Sequence, residues 1–567
     1  MGRAEIIKGS ASSIYGVGLG GVLNFQVRKA PYRENSFENQ TLVGSFGLWR
    51  NATQFHYAND KVNITLNYGY QHTDGYRNWN KDTRNFFTGV IQYAPSSKQQ
   101  FTFLLSRTSQ FAQVPGALNE IEVSENPQQA NNLNLLQKTR RNQIWTRMGL
   151  SHTYEIRPWL SNTSTAFVFF YDQDNPLLAA YLRNLYQSYG GRTKFVIEPT
   201  MRFLKTKWIV GAEFIQSLQR SSRYQNIFGT EGNLLAQADF NNQVYTVFYQ
   251  SETVLLPKLV LTVGLSYNKV VYNLRNYTNT AQTGKKDFVP QWMPRVAFSY
   301  LWKPALNFHF SISQGFSPPA TGEITASDGT INLLVEPETG TNYELNIKGG
   351  VQLNKASLQY ECNVFHFPIT NELIPQTSAQ NITFFNNSGS TTRNGIELAI
   401  NYLQNFRENH FLRSVRLFSN LSYTEARFNS YRVLDAQNQL LTDNSGRWLT
   451  GIMPWIITAG LDLFARKGLY TNLTFFYFDR MPVADDNSAF NDAYPLLNWK
   501  IGYFWRWSSR WASHLQLGVD NVMNEAYSSQ MAFNVRSING QPPAYFNPSM
   551  PVNVYGSFSL RLYFAEK

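Results

Sequence analysis

From about residue 40 onward the chain alternates apolar and polar residues with a period of two, the pattern of strands with one greasy and one wet face. In VNITLNYGY, Val62, Ile64, Leu66, Tyr68 and Tyr70 point one way; Asn63, Thr65, Asn67 and Gly69 point the other. In LVLTVGLSY, Leu259, Leu261, Val263, Leu265 and Tyr267 oppose Thr262, Gly264 and Ser266. LYTNLTFFYF places Leu469, Leu473, Phe475 and Tyr477 opposite Asn472 and Thr474. Near the end, Leu515, Leu517 and Val519 oppose Gln516, Gly518 and Asp520, and Val554, Phe558, Leu560, Leu562 and Phe564 oppose Ser557, Ser559 and Arg561. Such runs are about nine to eleven residues long, enough to cross a bilayer at a tilt. One strand with its share of turn and loop takes about 24 residues, so the chain allows about 22 strands. Tight turns alternate with longer polar inserts, the clearest being Arg107 to Arg141, Gly229 to Asn242, Asn276 to Asp287 and Tyr431 to Arg447.

Composition decides what the alternation is for. Aromatic residues make up 15% of the 567 and charged ones only 16%, where soluble proteins carry about a quarter charged. Mean hydropathy is nonetheless −0.35, because Asn, Gln, Ser and Thr are abundant. No stretch approaches the roughly 20 apolar residues of a membrane helix. A soluble sandwich or propeller also alternates, but its wet face is rich in charge. Here that face is mostly Asn, Ser, Thr, Gln and Gly, as in a water-filled lumen. Rings also gather at segment ends, as in WKIGYFWRWSSRW from Trp499 to Trp511, which suits a bilayer interface. The expected fold class is all-β: a transmembrane antiparallel β-barrel of about 22 strands.

Cys362 is the only cysteine, so an intramolecular disulfide and a multi-cysteine metal site are excluded. The seven histidines form no HxxxH or HExxH pair, and only His309 and His514 read as lying in clear strands. No metal site, catalytic constellation or resident cofactor is expected. Met1-Gly2-Arg3-Ala4-Glu5 lacks the apolar core of a secretory signal, so the sequence is expected to begin partway into a longer protein. A barrel this wide has a bore that its own side chains cannot fill.

The opening stretch EIIKGSASSIYGVGLGGVLNF, residues 5–25, stands apart from the alternation. Glu5 to Lys8 reads as a short strand, Ser10 to Tyr15 as a turn and Val22 to Val27 as another strand. Glycines at 16, 18, 20 and 21 permit close backbone approach. A phosphate-binding loop is disfavoured, since no GKS or GKT follows.

RAEIIKGSASSIYGVGLGGVLNFQVRK, residues 3–29, resembles the end of the plug domain of TonB-dependent outer-membrane receptors, and SQGFSPPATGEI from Ser313, VEPETGTNYELNIKGG from Val335, NGIELAINY from Asn394 and LGVDNVMNEAY from Leu517 resemble later segments of the same family, in family order. The resemblance implies residues 1–30 as the last part of a plug and residues 31–567 as a barrel. It implies import of a scarce, bulky nutrient across the outer membrane of a Gram-negative bacterium, energised by the TonB-ExbB-ExbD complex. It further implies a plug–barrel lock in which Lys8 meets the wall glutamates Glu344 and Glu397. A monomer in lipid and lipopolysaccharide is expected, with no enzyme activity and no nucleic-acid partner. The TonB box and most of the plug have no counterpart in the sequence, and the terminal aromatic of the family finds its candidate, Phe564, three residues early.

Net charge is +12, from 50 Lys and Arg against 38 Asp and Glu. An anionic ligand and the phosphates of lipopolysaccharide both account for it. VPGALNEIEVSENP, Val114 to Pro127, resembles a loop of receptors of the ferric-citrate type. The nearby Arg107, Arg140 and Arg141 are candidate ligand contacts, because guanidinium forks match carboxylates. The leading expectation is a receptor for an Fe(III) chelate, of siderophore or ferric-citrate type. Phe316-Ser317-Pro318-Pro319 departs from the FRAP box of haem receptors. Cobalamin, haem or oligosaccharide uptake and a passive porin-like channel are the alternatives.

Overall fold

The structure, a computed structural model, describes residues 2–564 apart from 10–11, 28, 31–33, 202, 304, 378–382, 435–439 and 538–539; the side chains of Lys8 and a few other residues also lie outside the description. Twenty-two long antiparallel strands form a closed cylinder. The last, Asn553–Tyr563, pairs with the first, Ser36–Gly44, and so leaves no free edge. Closure pairs the backbone amides and carbonyls within the sheet, which hydrocarbon demands. Among the described residues no helix is long and apolar enough to cross a membrane.

The alternation sorts the two faces as the sequence suggests. Tyr68, Val247, Leu265, Leu515 and Val554 are exposed on the outside, while Thr65, Ser266, Asn268, Asn342, Asn363 and Ser557 are buried on the lumen side. Lumen glycines make room for rings on the next strand. A Cβ on Gly69 would collide with Phe86, on Gly460 with Phe418 and on Gly518 with Tyr555, each glycine facing its ring in the ladder. Gly518→Ala is therefore expected to cost about 1–3 kcal/mol through overpacking, read as a lower urea midpoint of the detergent-folded barrel.

Strand lengths depart from the expected nine to eleven residues. Lys205–Ile227 spans 23 and Thr230–Leu256 spans 27. The stretch Gly229 to Asn242, expected as a loop, is a turn followed by paired strand. The outward apolar run breaks off near Leu218 and Tyr245, exposed apolar residues returning only at Ile227, Phe228, Leu234 and Leu235 around the tip, but the backbone ladder continues through the gap. Beyond that point the outer face carries ion pairs such as Arg220–Asp239 at 2.8 Å, whose polarity hid the strands. All the histidines except His410 lie in strands, not His309 and His514 alone.

One rim of the barrel has tight turns, such as those around residues 59–61, 97–98 and 257–258; the other carries the long connections. On the loop rim, segment 318–337 folds back so that Ile324 and Val335 pack with Phe240, Tyr272, Met293 and Phe316. Residues 114–139 hold two short helices, α2 (Glu120–Glu125) and α3 (Asn132–Leu136). A capping box of Asn119 and Glu122 starts α2. Leu118 exchanges backbone hydrogen bonds of 2.8 and 2.9 Å with Phe546. Arg77 ties three loops together, donating to the Gln129 carbonyl at 2.8 Å and to Asn547 Oδ1 at 3.2 Å. Burial lowers its pKa to about 10, with Glu122 pulling the other way.

Asp485, buried in the connection after Phe478, accepts from Thr450 Oγ1 at 2.5 Å and Asn534 Nδ2 at 3.0 Å. Burial pushes its carboxyl above the ordinary range, against the pull of those hydrogen bonds. The folded loop thus binds this proton more tightly than the unfolded chain. Its contribution to stability is full at low pH and is lost as pH rises from about 4 towards the raised value. Hydrogen-exchange protection factors around 483–488 are expected to fall over that interval, and Asp485→Asn is expected to flatten the dependence.

Candidate functional site

The glycine-rich opening lies against the lumen wall. Strand β1 (Arg3–Lys8) pairs with β2 (Gly21–Gln26), close to the expected bounds. The expected turn from Ser10 contains one helical turn, α1 (Ser12–Tyr15), with residues 10 and 11 outside the described set. Gly16, at φ +73°, ends α1 in the left-handed region. A Cβ there would sit 3.0 Å from Thr246 Oγ1, and one on Gly264 would sit 2.9 Å from Ser13 Cβ. Glycines on both partners thus let α1 come flush with the wall. Farther along, the Gly18 amide donates to the Phe316 carbonyl at 3.1 Å.

Arg192 is the main polar clasp. Its Nη2 donates to the Ile14 carbonyl at 2.7 Å and its Nη1 pairs with Glu213 Oε2 at 2.8 Å. The guanidinium lies 4.5 Å from the Phe248 ring centroid and 5.6 Å from that of Tyr15. Neither Arg192 nor Glu213 was singled out from the sequence. The only signal was a charge at a lumen position of the alternation in GGRTKF and GAEFI, which resembles any solvated wall charge until the chain is folded.

Glu344 and Glu397 both face the lumen, on strands Glu338–Leu353 and Thr383–Asn405, with strand Ala356–Thr377 between them. Glu344 Oε2 accepts from Asn342 Nδ2 at 3.3 Å and Glu397 Oε2 from Asn363 Nδ2 at 3.1 Å. A third lumen glutamate, Glu361, accepts from Asn346 Nδ2 at 2.8 Å on the strand between. Lys8 ends β1, but its side chain lies outside the described set. Its neighbour Gly9 is pressed to this wall: a Cβ on it would collide with the Asn342 amide and come within 3.4 Å of Glu344 Oε2.

A closed cylinder with a glycine-rich segment clasped inside it agrees with the chain's match to the family described as TonB dependent receptor-like, beta-barrel, over residues 15–522. The chain belongs to the TonB-dependent receptors. Solved structures share the fold at low identity. The siderophore receptor PiuA from Acinetobacter baumannii superposes with a TM-score of 0.79 at 13% identity, over 98% of this chain and 86% of its own. The ferric citrate transporter FecA gives 0.80 at 14%, over 98% and 83%, and the copper transporter OprC gives 0.74 at 13%, over 99% and 85%. The family is one of outer-membrane β-barrel transporters and receptors, not of enzymes.

The three arginines expected at the ligand separate in this receptor. Arg107 shares its face with Phe103, Met148 and Leu150, the apolar outer face, and donates to Thr146 Oγ1 at 3.1 Å. Arg140 also falls on the outer side, where it reaches the Gly229 carbonyl at 3.4 Å and braces that turn. Only Arg141 falls on the lumen face, and its charge acts on Tyr171. Face assignment needs the register, and a one-residue slip reverses it. Among the described residues no cluster of three or more His, Cys, Asp or Glu is placed to hold a metal ion.

Proposed function

We propose that the receptor captures a ferric chelate at its loop rim and imports it across the outer membrane of a Gram-negative bacterium. Energy is drawn from the inner-membrane proton gradient through the TonB-ExbB-ExbD complex. The observation that carries this reading is the docking of α1 and its flanks on the wall. A plain pore has no use for a segment clasped inside its lumen, whereas an energised importer needs a stopper that can be released. The siderophore and ferric citrate receptors among its structural relatives support the choice of an iron chelate. In this reading Lys8, Glu344 and Glu397 form the lock. Charges in a partly desolvated lumen need partners, and a few pairs hold a plug without fixing it permanently.

The test is uptake of radioactive iron by a strain lacking the gene, complemented with its full-length form. Uptake should return with the gene and vanish when TonB is also deleted. Uptake independent of TonB would favour the passive channel, and restored uptake of cobalamin, haem or an oligosaccharide instead would reassign the cargo. Glu344→Gln with Glu397→Gln tests the lock and should raise the conductance of the full-length receptor in planar bilayers.

A further inference from the structure

We infer, resting on the import reading above, that an aromatic ladder on the lumen wall holds planar, anionic aryl arms of the chelate, such as catecholate or phenolate rings. The ladder spans three neighbouring strands, Arg140–Arg157, Leu160–Pro176 and Tyr181–Ile197. In register, Trp145 faces Tyr171, which faces Tyr186; Arg147 faces Phe169. The Trp145 and Tyr171 rings are nearly parallel, 5.8 Å apart at 13°, as are Phe169 and Tyr171, 6.5 Å apart at 9°. Tyr186 meets Phe169 edge-on at 5.7 Å and is fixed by donating to Ser217 Oγ at 2.8 Å. The Arg147 guanidinium lies 5.3 Å from the Phe169 ring centroid.

These side chains share a face with Arg192, which pairs in register with Thr165 and clasps α1, so they look into the lumen. Leu150, Phe170, Leu185 and Tyr189 are exposed on the opposite, outer face of the same strands. Tyr186 precedes Arg192 by six residues on one strand, about 20 Å at 3.3 Å per residue. The ladder therefore lies on the loop-rim side of the docked segment, where a ligand arriving from outside meets the wall first.

Charge selects the ring chemistry. Arg147 is exposed and forms no ion pair among the described residues, and Arg141 shares the face. Of the nearby carboxylates, Glu213 is engaged by Arg192, and Asp172, opposite Leu185, falls on the outer face. Flat side-chain rings beside guanidinium groups suit a planar aryl ring whose negative oxygens pair with the arginines while its hydrocarbon body packs, offset or edge-on, against the ladder. A compact aliphatic carboxylate would use the arginines and gain nothing from the rings.

The test is equilibrium dialysis of the detergent-folded receptor against radioactive Fe(III) chelated by dihydroxybenzoate or by citrate. The aryl complex should bind saturably and more tightly than the citrate complex. Phe169→Leu with Tyr171→Leu should weaken it about tenfold, as the loss of two stacking contacts implies, and Arg147→Gln should weaken it and lessen its salt dependence. Heat-modifiable migration checks that the barrel is folded; should the double variant fail that check, Arg147→Gln and Trp145→Leu carry the comparison. Equal binding by the folded variants, tighter binding of the citrate complex, or binding of neither would overturn the inference. TonB-dependent uptake of ferric citrate would leave the import reading standing without the aryl site. Ladder-dependent aryl binding without any iron uptake would leave the site and remove the import reading.

Discussion

Leu515→Arg is expected to cost the barrel about 2–4 kcal/mol, the penalty for a guanidinium on the lipid face near mid-membrane, while Gln516→Arg costs about 1 kcal/mol or less. Leu515 is 44% exposed on the outer face, and Trp511 and Val519 lie four residues to either side of it. Hydrocarbon is its only surrounding solvent, so an arginine there must drag in water or reach along the wall to the interface. Gln516 points into the lumen, where water is available. The comparison uses adjacent positions and the same new side chain, so only the face differs. Urea titration of both variants refolded into lipid vesicles measures it, supported by the yield of folded barrel in the outer membrane. Equal midpoints would mean that the greasy face is not in lipid.

Arg192→Ala is expected to loosen α1 from the wall by about 2–3 kcal/mol. The substitution leaves Glu213 with its charge unpaired at 17% side-chain exposure and strips the Ile14 carbonyl of its donor. Removing one member of a fully buried pair costs about 3–5 kcal/mol, and partial exposure reduces that. Hydrogen exchange of residues 12–18 is the direct readout, with protection expected to fall while the barrel strands keep theirs. Arg192→Lys should fall between, since a single ammonium cannot serve the carboxylate and the carbonyl with a fork's geometry. Unchanged protection in the alanine variant would show that Ser13 on Gly264 and Gly16 under Thr246 hold the segment without the clasp.

The receptor's wall was legible in its sequence because a barrel is written locally. Each strand carries its own two-residue rhythm, so Leu515, Leu517 and Val519 declare their face without reference to any partner. The bilayer enforces this one strand at a time. The rhythm fails where the solvent stops enforcing it. Above Leu218 and Tyr245 both faces meet water, and the paired continuation of Thr230–Leu256 read as a loop.

Sequence alone therefore determined the class of fold, the strand number, the special character of residues 3–26 and the lumen side of Glu344 and Glu397. Only the tertiary structure decided what the charges and rings do. Arg107, Arg140 and Arg141 are interchangeable in composition, yet the register turns two outward and one inward. Arg192 meets Ile14 across 178 residues of chain, and Trp145, Tyr171 and Tyr186 become one surface only when three strands align. Side-chain direction along a strand is fixed by the pleat, a local property. Which strands lie side by side, and at what offset, is fixed by closing the whole cylinder, and no single segment carries that information.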